Sequence, residues 1–149
     1  LTPTARLEVV DVAEVQLENL KTKLNQTSHI VLHHQDSTNL KFPDARFDSV
    51  VLFFLLHEQP EEVRAKTIAQ ALRVVKPGGK VVFVDYHRPS HFNPFRYVMV
   101  PILSTLEPFA MDLWRRDIAD WLPDSIHSTA KIEKQTYFGE LYQKVVITV

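Results

Sequence analysis

Apolar positions along this chain fall into runs with two rhythms, and residues 47–89 hold both: FDSVVLFFLLHEQPEEVRAKTIAQALRVVKPGGKVVFVDYHRP. The apolar runs at 49–56 and 80–84 are rich in Val and Phe and barely alternate. That pattern predicts strands buried on both faces of a parallel sheet. Between them Ala65, Ile68, Leu72 and Val75 recur at helical spacing as a buried stripe. Pro60 sits near the first helical position, where its missing N–H costs nothing. Glu61 and Glu62 follow in the first turn, favourable against the helix dipole. Pro77-Gly78-Gly79 predicts the helix stop, with a strand over 80–85 beyond it.

The flanks extend this strand–helix–strand unit. Residues 6–12 (RLEVVDV) read as a strand ending in an acid, Asp11. Ala13, Leu17, Leu20 and Leu24 predict a helix, and Asn25-Gln26-Thr27-Ser28 a break. Residues 29–33 read as a short strand before a polar loop, and the next strand spans 47–56. Residues 92–111 are apolar but hold three prolines, which predicts two short helices around Pro101 and Pro108. The uncharged run 97–106 falls well short of the roughly 20 residues that span a bilayer. A helix over 112–121 and strands over 129–137 and 141–149, joined near Gly139 as an antiparallel hairpin, complete the pattern. The order predicts a three-layer α/β fold, its sheet mainly parallel with an antiparallel C-terminal hairpin. The expected organisation is a single domain over 1–149 with an apolar lid at about 90–122.

Composition narrows the chemistry. The chain has 149 residues, enough for a core, and no cysteine, which removes disulfides, thiolate zinc sites and a cysteine nucleophile. Net charge is −1, with Lys and Arg dispersed, so no nucleic-acid partner is expected. His33, His34 and Asp36 match no metal-ligand spacing, and strand alternation sends the two histidines to opposite faces; no metal is expected. The N-terminal stretch lacks a signal-peptide layout, and a cytoplasmic protein is expected. There is no nucleophile elbow, P-loop or HExxH. Only three glycines occur, so no glycine-rich turn follows any predicted strand.

Against this background the sequence resembles a class I S-adenosylmethionine-dependent methyltransferase. The resemblance runs through LEVVD, QDSTNLKFPDARFDSVVLFFLLHE, LRVVKPGGKVVFVDY and the closing hairpin, in the family's order, over nearly the whole chain. FFLLHEQP, VDYHRP, NPFRY and LEPFAMDLW resemble the quinone-biosynthesis branch. Its rhodoquinone-biosynthesis members are built like methyltransferases but are thought to transfer an amino group to ubiquinone. The resemblance implies a Rossmann-like sheet, S-adenosylmethionine as cofactor and a small lipophilic aromatic or quinone-like substrate. It also implies that the family's first strand, glycine-rich turn and first helix are absent, so the chain is expected to be an N-terminally truncated member, inactive alone. Open strand edges then predict a homodimer, through those edges or the apolar lid.

Residue roles follow from the same resemblance. Asp11, with Val12 beside it, matches the acid that holds the cofactor ribose; helix capping is the alternative. Asp36 and Ser37 match the adenine contacts, against a plain turn-forming pair. Phe53 falls where the family faces the sulfonium. His57 is a candidate general base, Glu58 a candidate acid or a cap, and Tyr86 a third catalytic candidate. His87, Arg88, Phe95, Arg96 and Tyr97 are substrate candidates, with a solvated loop or packed lid as the alternative. Arg96 at the polar rim of an apolar slot would also allow peripheral membrane contact. The competing functions are a non-catalytic, self-associating remnant and amino transfer from S-adenosylmethionine to a quinone.

Overall fold

The computed structural model describes residues 5–24, 29–107 and 109–149; the breaker cluster Asn25–Ser28 and Pro108 lie outside them. The chain divides into two compact units, residues 1–41 and 42–149.

In the first unit β1 (Leu7–Asp11) runs parallel to β2 (Ile30–His34), in a register from Leu7↔Ile30 to Asp11↔His34. Between them α1 (Glu14–Lys23) buries Leu17. Both strands therefore end side by side at acidic or polar residues. His33 Nε2 lies 2.5 Å from Glu8 Oε2, and His34 Nε2 2.8 Å from the Val12 carbonyl.

The second unit is a four-stranded sheet in the order β3 (Phe47–Phe53), β4 (Val75–Tyr86), β6 (Tyr142–Thr148) and β5 (Lys131–Tyr137). β3 and β4 are parallel, and the remaining pairs are antiparallel. A 3-10 turn at Leu56–Glu58 and α2 (Glu61–Val74) connect β3 to β4. The lid comprises α3 (Phe95–Leu106), α4 (Asp112–Arg115), a 3-10 turn at Ile118–Trp121 and α5 (Asp124–His127). One core joins Leu52, Leu56, Ile68, Val81, Phe83, Ile118 and Ile147. Each such side chain contributes about 1.5–3 kcal/mol when fully buried. A second core, Leu103, Ala110 and Trp114, packs with Tyr86 and Met99 and fastens the lid.

Several expectations shift. The buried face of α2 is Arg64, Thr67, Ile68, Ala71 and Val74, whereas Ala65 is exposed. A charged residue in the core was invisible to a hydrophobic stripe. Pro77-Gly78-Gly79 does not stop the helix, which ends at Val74; it forms an irregular opening to β4. A Cβ on Gly79 would stand 2.8 Å from the Lys76 carbonyl oxygen and 2.9 Å from that of Asp48, so only glycine lets the strands approach there. β3 is not covered on both faces: Leu52 is buried, but Val51 and Phe53 are 60% and 67% exposed. An apolar run reports affinity for a core, not how many faces have cover. Pro101 lies inside α3, and its carbonyl accepts hydrogen bonds from the Ser104 and Thr105 hydroxyls, whereas Pro108, the expected centre of a second short helix, lies outside the described residues. The helix expected over 112–121 breaks at Arg116 and Asp117, both extended, where Asp117 and Asp120 form a capping box.

Candidate functional site

The carboxyl ends of β3 and β4 carry the densest chemistry. Phe54, the first residue past β3, is held at φ 49°, an uncommon conformation for a non-glycine residue. Its N–H donates to the Val84 carbonyl at 2.8 Å, so strand pairing holds the kink. The chain then turns through Leu56–Glu58, carrying His57 edge-on to the rings of Phe54 and Tyr86.

Asp85, at the end of β4, is buried and organises the turn. Its carboxylate accepts from the Leu56 N–H at 2.9 Å, the His57 N–H at 3.3 Å and His57 Nδ1 at 2.8 Å. A carboxylate can only accept, so Nδ1 carries the proton and a neutral His57 presents Nε2 as its basic atom. Facing Nε2 are Glu107 Oε2 at 3.3 Å and Glu58 Oε1 at 3.9 Å. Glu107 Oε2 is buried and has no hydrogen-bond partner among the described residues. Burial alone would push the imidazole down from its ordinary 6.5. The hydrogen bond and charge of Asp85, with Glu107 and Glu58 behind, outweigh it and raise the pKa. Tyr86 stands edge-on to His57, ring centres 4.7 Å apart. Burial first, then the Glu107 charge and Tyr142, hold its phenol above the usual 10.0, so it stays protonated at neutral pH.

The sign of this linkage is testable. Because the folded pKa of His57 is raised, its stabilisation is complete below about pH 6.5. It is lost as pH rises through the folded value. Unfolding free energy, followed by denaturant titration, is expected to decline over that window in the native protein and to stay flatter in His57→Gln.

Aromatic rings link this turn to an apolar groove. Tyr86 stacks on Tyr142 at 5.8 Å, and Phe54 meets both rings edge-on at 5.6 and 5.5 Å. Tyr142 in turn lines a groove of about 850 Å³ with Phe92, Phe95, Met99, Phe138 and Leu141. The hairpin turn shaping its wall needs positive φ at Phe138, Gly139 and Glu140, and Asn93 Nδ2 ties it down through the Phe138 and Gly139 carbonyls.

The predicted residues thus divide. His57, Glu58 and Tyr86 come together. Phe95 lines the groove, whereas His87, Arg88 and Arg96 line a separate polar cleft, and Tyr97, 72% exposed, lines neither. Phe53 sits exposed beside Phe54. In the first unit, Asp11 Oδ1 accepts from the Ala13 N–H and Asp36 Oδ1 from the Thr38 N–H, both at 2.8 Å. Two acids in the same turn geometry therefore close two neighbouring parallel strands, with exposed Val12 and turn residue Ser37 alongside. One oxygen of each carboxylate builds its turn. Such carboxylate acceptors suit ribose hydroxyls and an exocyclic amine, the donor groups of an adenosine.

Sequence reasoning missed Asp85, Glu107 and Arg64. The signal for Asp85 was present, since VVFVD ends in an acid as LEVVD does. Glu107 carried none, being brought to His57 by the lid. Arg64 Nε donates to the Leu56 carbonyl at 3.1 Å, and Nη2 to those of Gln59 at 2.9 Å and Phe109 at 3.1 Å. It joins the turn that carries His57 to the lid.

Comparison with known proteins places these features in context. A family described as methyltransferase domain matches residues 1–79. The demethylmenaquinone methyltransferase of Halalkalibacterium halodurans is 27% identical over 98% of this chain and 59% of its own length. That of Staphylococcus saprophyticus is 33% identical over 84% of the chain and 53% of its own. The chain thus spans little more than half the length of these relatives. The crystal structure of the N-methyltransferase NodS from Bradyrhizobium japonicum, in complex with S-adenosyl-L-homocysteine, superposes with a TM-score of 0.63 at 14% identity. It covers 96% of this chain and 66% of the NodS chain. This likeness shows a Rossmann-like methyltransferase fold.

Proposed function

The chain belongs to the methyltransferase domain family, and we propose that in the whole protein it serves S-adenosylmethionine-dependent methyl transfer to a lipophilic, quinone-like aromatic acceptor. The buried Asp85–His57 pair, linked through Tyr86 and Tyr142 to an apolar groove, carries the reading. S-adenosylmethionine supplies a methyl carbon made electrophilic by its sulfonium. Asp11 and Val12, with Asp36 and Ser37, hold its adenosine. His57 Nε2 takes the hydroxyl proton of the acceptor, raising the electron density of the ring to be methylated. Asp85 fixes the tautomer, and Glu107 and Glu58 stabilise the imidazolium that forms. Tyr86, held neutral, donates a hydrogen bond. The groove lined by Phe95 and Phe138 receives the ring or its tail and excludes water. The names of the relatives, demethylmenaquinone methyltransferases, agree with such an acceptor.

The test uses the full-length protein with S-adenosylmethionine and reduced demethylmenaquinone, read by product mass. A product heavier by one methyl-for-hydrogen exchange is expected. An amino-for-hydrogen product would assign amino transfer instead. No product, together with no heat of S-adenosylmethionine binding by calorimetry, would sink both.

A further inference from the structure

Beyond the Ser90 and Gly139–Glu140 wall of the apolar groove lies the polar cleft of about 380 Å³. We propose that this cleft is an anion site that recognises a phosphate group. Five basic side chains line it, Arg88, Arg96, Arg115, Arg116 and Lys134, against two carboxylates, Asp117 and Glu140. Three of the five are engaged: Arg116 with Glu61 at 2.5 Å, Lys134 with Asp117, and Arg96 with the Pro89 carbonyl at 3.0 Å. Arg88 and Arg115 have no hydrogen-bond or ion-pair partner among the described residues. Both are exposed, on opposite sides of the cleft in sequence: one follows β4 and the other ends α4. Buried Leu113 and Trp114 supply an apolar wall. A low-dielectric wall under a net excess of positive charge focuses the field into the cleft.

The chemistry selects the ligand class. A guanidinium presents a planar fork of N–H donors that matches two phosphate oxygens. Two unpaired forks can share the oxygens of one phosphate. The carboxylates at the rim, one of them already paired with Lys134, leave the excess positive. The phosphate can belong to a phospholipid headgroup or to a soluble phosphate compound. Exposed Phe92, Phe95 and Leu106, in the lid that also supplies Arg96 and Arg115, would lie against acyl chains only in the first case.

The experiment reads binding, not turnover, so its outcome is separate from that of the methyl-transfer assay. Full-length protein is titrated calorimetrically with inorganic pyrophosphate. In parallel it is co-sedimented with vesicles of phosphatidylcholine with or without phosphatidylglycerol, at low and high salt. At least one probe is expected to bind, more weakly at high salt. Affinity should fall at least tenfold in Arg88→Gln/Arg115→Gln, a loss in line with two charged hydrogen-bonding groups. Lys66→Gln, on the exposed face of α2, should bind as the native protein does. Pyrophosphate binding without vesicle binding assigns a soluble phosphate. Binding to phosphatidylglycerol vesicles alone assigns a headgroup. Binding of neither probe, or undiminished binding by the double variant, overturns the site.

Discussion

His57→Gln in the full-length protein is expected to lower kcat for methyl transfer about a hundredfold or more, the usual range for losing a positioned general base. The acceptor KM should change little, because in the proposed mechanism His57 acts on the proton and not on the apolar ring. A pH profile separates this role from a structural one. Native activity should rise with pH as the imidazole, held protonated by Asp85 at 2.8 Å, Glu107 at 3.3 Å and Glu58 at 3.9 Å, gives up its proton. In the variant that rising limb should vanish. Activity is therefore gained over the same pH window in which the His57 contribution to stability is lost. A kcat within threefold of native, or an unchanged pH profile, would remove His57 from the mechanism. Asp85→Asn offers a second check: its amide accepts through one oxygen only, and the His57 pKa, followed by NMR, should drop. The variant will also lose stability, since Asp85 anchors two N–H groups of the turn besides the imidazole.

Arg64→Met should cost about 3–5 kcal/mol of unfolding free energy, the order expected from leaving three carbonyls without a charged donor at about 1–3 kcal/mol each. Arg64 is completely buried. Its guanidinium serves the Leu56, Gln59 and Phe109 carbonyls and lies 4.6 Å from the Trp121 ring centre. Burial draws its pKa down, opposed by the charges of Asp112 and Asp85, and the group remains a cation. Methionine fills much of the space but leaves three carbonyls without their donor. Arg64→Lys, with one compact ammonium in place of a fork, should recover only part of the loss. Denaturant unfolding measures both. A loss below about 0.5 kcal/mol for Arg64→Met, the level of an ordinary surface change, would refute this account. Because the same bonds hold the turn that carries His57, a fall in kcat should accompany the fall in stability.

The two cases show why parts of the site were legible and parts were not. His57, Glu58 and Tyr86 stood out because they follow apolar runs that read as strands, and open α/β sheets place chemistry at strand ends. Their order in the chain is nearly their order in space. Glu107 is fifty residues beyond His57 in the chain and joins it only because Leu103, Ala110 and Trp114 pack the lid down. Arg64 occupies a core position of α2, where a charge is tolerated only if carbonyls from the turn and the lid converge on it. No local pattern announces that convergence.

By itself the sequence determined the elements and their type, because backbone hydrogen bonding and the helix and strand periods are local. Those constraints placed the strand–helix–strand unit, the acids at the ends of β1 and β2, and the closing hairpin near Gly139. Tertiary structure alone decided which faces were covered and that Pro77-Gly78-Gly79 opens a strand. It also decided that the predicted substrate residues part into an apolar groove and a cationic cleft. Those outcomes depend on what packs against each segment, and burial, unlike periodicity, is a property of the partner as much as of the residue.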